Sequence, residues 1–115
     1  MQVGTTADEE LGLVMIALRG AVTTRSAGAV HRVVDAALAG GWTRVLIDLR
    51  HLDDVDPALA LVLLECDEQL TEAGGWLWLV HGAGAPGSSL RFMGVHDRVR
   101  SAPSRQAAGW PAGRC

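Results

Sequence analysis

Val45-Leu46-Ile47-Asp48-Leu49-Arg50, His51-Leu52-Asp53-Asp54-Val55-Asp56 and Pro57-Ala58-Leu59-Ala60-Leu61-Val62-Leu63-Leu64 run consecutively and decide the fold. The first block is an apolar run with β-branched residues, the pattern of a strand covered on both faces. The second reads as a short acidic loop. The third opens a helix at a sharp boundary. Asp56 suits the N-cap, because its carboxylate accepts from the free N–H groups of the first turn. Pro57 suits the first helical position, where its missing N–H costs nothing. Helix N-termini attract anions and make good recognition points. This one holds no hydroxyl, thiol or imidazole in its first turn.

Working outward, residues 1–10 read as a loose polar lead-in and residues 11–19 as a strand with Val14, Ile16 and Leu18 on one face. A bend and a short strand follow at 20–23. Thr23 or Thr24 then caps a helix running to about residue 39, which Gly40-Gly41 ends. Its apolar face is Ala27, Val30, Val34, Ala37 and Leu38, with Arg32 and Asp35 pointing away. The second helix runs from its Asp56 cap to residue 73, before Gly74-Gly75. Residues 76–80 form the next strand and 82–88 a glycine-rich loop. Ser88 or Ser89 caps a short helix through Leu90 and Met93, ending at Gly94. Residues 98–102 suggest a last edge strand, 104–108 a helical turn and 109–115 a frayed tail. Strands alternating with helices imply crossovers. The expected fold is therefore a single α/β domain over 11–108, with a mixed, mostly parallel sheet of four to five strands and helices packed on it.

Composition narrows the function. The 115 residues are 49% apolar and 20% charged, which is globular. A net charge of −3 argues against a nucleic-acid surface. No apolar run is long enough to span a bilayer, and no signal peptide is expected. Cys66 and Cys115 make no metal or redox spacing, so a reducing cytoplasmic setting is the simplest reading.

Catalysis has little support. The serines show no nucleophile motif, and His31, His81 and His96 lie on separate elements. His51, Asp53, Asp54 and Asp56 cluster, but consecutive loop residues seldom converge on one metal ion, so solvated charges plus a helix cap fit better. Asp48 is expected to satisfy loop backbone groups. The 82–87 loop lacks a Walker lysine, since the chain has no Lys. No cofactor is expected. Trp76 and Trp78 share one strand face and are expected to fill the core against a helix. On the second helix, Leu59, Val62, Leu63, Cys66, Leu70 and Ala73 should face the sheet. Leu61 and Leu64 fall on the opposite side beside Glu65 and Glu68, as docking anchors framed by acids.

Five blocks together resemble the STAS domain, the fold of anti-sigma factor antagonists. They are Leu18-Arg19-Gly20-Ala21-Val22-Thr23, Val45-Leu46-Ile47-Asp48-Leu49, Val55-Asp56-Pro57-Ala58-Leu59, Ala73-Gly74-Gly75-Trp76-Leu77-Trp78-Leu79-Val80 and Met93-Gly94-Val95. The resemblance implies that the second helix normally begins Asp-Ser-Ser-Gly. The second of those serines is phosphorylated by the partner, an anti-sigma factor that is an ATP-dependent serine kinase. Here the positions hold Asp56-Pro57-Ala58-Leu59, and a methyl group cannot attack phosphorus. The family's acidic residue before its first helix is replaced by Thr23. Thr23, Thr24 and Ser26 are conceivable substitute acceptors, although helix capping explains them more simply.

The expected function is a protein-interaction module, not an enzyme. It binds an anti-sigma factor of the serine-kinase type, or a related regulator, without phosphorylation at Ala58. The expected partner surface is Thr23, Asp53, Asp54, Asp56, Pro57, Ala58, Leu61, Leu64 and Glu65, with the 51–55 loop. Two alternatives stand beside it: a structural subunit of an ABC-type lipid transport complex, and a sensor of a small ligand or nucleotide. The oligomeric state stays open.

Overall fold

Backbone pairing runs through five strands in simple sequence order. The structure, a computed structural model, describes residues 1–82, 84, 89, 91, 93–102 and 104. Its elements are β1 (Gln2–Asp8), β2 (Leu13–Gly20), α1 (Thr24–Ala39), β3 (Arg44–Leu52), α2 (Pro57–Glu72), β4 (Trp76–Val80), a 3₁₀ turn (Val95–Asp97) and β5 (Arg100–Ala102). The sheet order is β1-β2-β3-β4-β5. β1 pairs antiparallel with β2, and the remaining neighbours are parallel. This is the mixed, mostly parallel α/β sheet expected, with five strands.

Because successive parallel strands are neighbours, right-handed crossovers set both helices on one sheet face. The main core shows this arrangement. Ala27, Val30 and Val34 of α1 and Leu59, Leu63, Cys66 and Leu70 of α2 pack with Val14, Ile16 and Leu18 of β2, Val45, Ile47 and Leu49 of β3, and Leu77 and Leu79 of β4. Each fully buried Leu or Ile contributes roughly 1.5–3 kcal/mol relative to exposure. A second, smaller cluster of Leu13, Leu46 and Val80 lies on the opposite face, with Met15, Trp76 and Trp78 packed against it.

Four expectations need correction. The loose lead-in at 1–10 is the seven-residue strand β1, which pairs along its whole length with β2 through backbone groups and needs few apolar side chains. Gly20 ends β2 and no separate strand follows at 21–23; the mixed edge comes from β1. β3 runs beyond the Val45–Arg50 block to Leu52: Arg19 pairs with His51 and Gly20 with Leu52 after an irregularity in the ladder. Trp76 and Trp78 do not pack against a helix, because alternation gives that face to Leu77 and Leu79.

The helix boundaries follow local chemistry. Thr23 caps α1 by accepting from the Ser26 N–H, and Asp56 caps α2 by accepting from the Leu59 N–H. Pro57 stands at the start of α2. Past its end the chain must pass the β3 entry closely. A Cβ on Gly75 would sit 1.7 Å from the Thr43 carbonyl oxygen, so only glycine fits. The neighbouring Trp76 N–H donates to that same oxygen at 3.0 Å, starting β4 in register. Met93 donates to the Ser89 carbonyl and Gly94 turns with φ 77, consistent with a helical turn ending there. The readings for Ser88, Leu90, residues 105–108 and the 109–115 tail lie outside the described residues.

Candidate functional site

Parallel strands deliver their following loops to one end of a sheet, the usual place for function in such folds. Here that end gathers the residues after β2 (Ala21–Thr23), after β3 (Asp53–Asp56) and after β4 (from His81). Two cross-links tie these loops together. The Asp53 N–H donates to the Gly20 carbonyl at 3.0 Å, fixing the acidic loop to the end of β2. The Ser89 hydroxyl donates to Asp54 Oδ1, fixing the same loop to the turn beyond β4.

The loop is also organised from within. Asp54 Oδ1 accepts from the Val55 N–H at 2.7 Å, and Asp56 Oδ1 accepts from the Leu59 N–H at 2.8 Å. The Ser89 hydroxyl and the Val55 N–H hold the Asp54 carboxyl below its ordinary pKa, against a smaller opposing effect of burial. Asp54 is therefore charged at neutral pH. Asp53, Asp54 and Asp56 together give the helix start a negative rim, and Val55 between them turns inward, 3% exposed, as the anchor.

The outer stripe of α2 continues this surface. Pro57, Leu61, Glu65 and Glu68 recur at helical spacing and are exposed. Leu61 is 57% exposed, one of two exposed large hydrophobic residues among those described. Glu65 faces α1 through a His31 Nε2–Glu65 Oε2 contact of 3.5 Å, while His31 Nδ1 meets Asp35 Oδ2 at 3.0 Å. Glu68 approaches Arg98 at 3.9 Å. The inner stripe is Leu59, Ala60, Leu63, Cys66 and Leu70. Burial, reinforced by the Asp35 and Glu65 charges, pushes the Cys66 thiol up to about 12, so it is a neutral core group.

Most of the expected surface residues gather at this end. Asp53, Asp54, Asp56, Pro57 and Ala58 lie at the start of α2, and Thr23 caps α1 at the end of the adjoining loop. Thr23 Oγ1 also lies 3.0 Å from Ser26 Oγ, so both hydroxyls take part in the cap. Some placements differ. Leu64 is half-buried and packs on the core instead of projecting as an anchor. Ala73 is exposed, because α2 has reached its C-cap there. His51 and Leu52 belong to β3 and Val55 to the core, so the surface loop narrows to Asp53 and Asp54. Asp48 accepts from the Arg50 N–H at 3.0 Å and pairs with the Arg50 guanidinium at 2.8 Å. Burial pushes its pKa up, but the bonds from Arg50 outweigh that and leave it lowered. Ser89 was no candidate from sequence, since nothing local signals a contact 35 residues away. Among the described residues no group of three or more His, Cys, Asp or Glu is arranged to hold a metal ion.

The arrangement is a helix start with an acidic rim and one exposed leucine on its outer stripe. A family profile described as "Mlab, STAS domain" matches residues 5–101. The chain belongs to the STAS domain family. Solved structures share the fold. An anti-sigma factor antagonist from Mycobacterium paratuberculosis superposes with a TM-score of 0.78 at 18% identity, covering 93% of this chain and 91% of that one. The anti-sigma factor antagonist SpoIIAA in its unphosphorylated form gives 0.72 at 14% identity, covering 94% of each chain. The Bacillus cell fate determinant SpoIIAA in its phosphorylated form gives 0.66 at 14% identity, covering 94% and 97%. A search of curated protein sequences finds no significant match. In this STAS domain Ala58, in the first turn of α2, is half-buried beside the Asp56 cap. Among the described residues no helix is long and apolar enough to cross a membrane.

Proposed function

We propose that this STAS domain is a cytoplasmic protein-interaction module that antagonises an anti-sigma factor, or a related regulator, and works without phosphorylation at the start of α2. It is a binding module and not an enzyme. The observation that carries this reading is Ala58 at a helix start that keeps the Asp56 cap and the acidic loop, although Thr23 stands where the resemblance expects an acid. The Asp56 cap, the acidic loop and exposed Leu61 remain, while the hydroxyl that would take a phosphate is gone. A phosphate there would add nearly two negative charges beside Asp56 and repel a docked partner. With Ala58 the domain stays in the binding-competent state.

Leu61 supplies the apolar contact, while Asp53, Asp54 and Glu65 favour a partner face carrying Arg or Lys. The test is to mix the domain with a serine-kinase-type anti-sigma factor from the same genome. A complex should form and persist after ATP is added, with no phosphate found by mass spectrometry on Thr23, Thr24 or Ser26. Absence of a complex with any such factor, or its release by ATP, overturns the reading.

The missing hydroxyl also favours a second reading, in which the domain is a structural subunit of an ABC-type lipid transport complex and needs no switch. Co-purification with a transport ATPase, and with no anti-sigma factor, would select it.

A further inference from the structure

The two edges of the sheet are built differently. β5 is three residues long and begins with exposed Arg100, so shortness and charge protect it from pairing with another strand. β1 has neither device. It is seven residues long, Gln2-Val3-Gly4-Thr5-Thr6-Ala7-Asp8, with no Pro, no Lys, no charge before Asp8 and an unbroken ladder to β2 on its inner side. Residues 2–7 are exposed, and Val3, at 36%, is the second of the two exposed large hydrophobic residues among those described.

We propose that β1 pairs with β1 of a second copy of this chain, antiparallel about a two-fold axis at Thr5, giving a continuous ten-stranded sheet. The strand's own sequence selects this occupant. In that register Thr5 meets Thr5, Gly4 meets Thr6, Val3 meets Ala7 and Gln2 meets Asp8. No like charges face each other, Thr–Thr is a favourable cross-strand pair, and Val3 gains an apolar neighbour. The contact is isologous, so it closes at two copies. Pairing one short strand falls at the small end of specific interfaces, which makes the dimer concentration-dependent in the micromolar range or weaker. α2 packs against β4, three strands away, so the dimer presents two copies of the proposed partner surface. The inference does not depend on what α2 binds.

Sedimentation of the full chain from micromolar to millimolar concentration tests it. The mass should double with concentration, and Thr5→Lys, which sets two ammonium groups opposite one another, should keep the chain monomeric while its circular dichroism stays native. In a mixture of isotope-labelled and unlabelled chains, intermolecular contacts should join Val3 to Ala7, a readout that needs no variant. A monomer at every concentration, a dimer that Thr5→Lys leaves intact, or intermolecular contacts that avoid β1 would overturn the proposal.

Discussion

The inner and outer stripes of α2 lie only one or two residues apart in sequence and differ almost entirely in role. Leu63 is fully buried against the sheet, whereas Leu61 is 57% exposed. Cys66 sits among apolar neighbours with its thiol kept neutral, whereas Glu65, one position earlier, lies in solvent beside His31. The helix is apolar nearly all round at its start, from Ala58 to Leu64, so hydrophobicity alone does not separate the two stripes. Burial does. The inner leucines are explained by the fold; the exposure of Leu61 is not, and the proposed partner contact rests on it.

Substitutions along the two stripes should separate sharply. Leu63→Ala removes a fully buried side chain and should destabilise the domain by about 2–5 kcal/mol in chemical denaturation. Asp56→Ala leaves the Leu59 N–H without its cap and should lower stability by roughly 0.5–2 kcal/mol. Cys66 should resist alkylation near pH 8 in the native protein and react on unfolding. Its raised folded pKa also means the unfolded chain loses this proton first, so the contribution of Cys66 to stability declines between its ordinary pKa and about 12.

At the loop, Ser89→Ala should move the Asp54 pKa upward, toward the ordinary carboxyl value, in an NMR titration. The sign follows from linkage. A carboxyl with a lowered folded pKa adds stability above its ordinary pKa, and loses it as pH falls through the folded value. The variant should therefore show a smaller loss on acidification. The smallest effect on stability belongs to Leu61→Ala, within about 0.5 kcal/mol. The same change should weaken partner binding by tenfold or more, as for a central anchor.

The elements carried by strong local signals were legible in the chain. Asp56-Pro57 marked the start of α2, Gly74-Gly75 marked its end, and Trp76–Val80 is the strand read from its composition. β1 was hidden because Gln2–Asp8 has only Val3 and Ala7 to suggest periodicity, and its pairing is made by backbone groups. The faces of β4 were misassigned for a related reason. Trp and Leu alternate, both faces are apolar, and alternation alone does not say which one meets the helices. At the site, the Asp56 cap could be read locally. The link from Ser89 to Asp54 depends on tertiary folding, and so does the partial burial of Leu64.

The central claim is that this helix start binds a partner in a state that phosphorylation does not toggle. Calorimetric titration of the domain into a serine-kinase-type anti-sigma factor, with and without prior incubation with ATP, tests it most directly. One and the same affinity is expected in both titrations, reduced in both by Leu61→Ala. Binding that vanishes after ATP treatment, or that Leu61→Ala leaves unchanged, would contradict it.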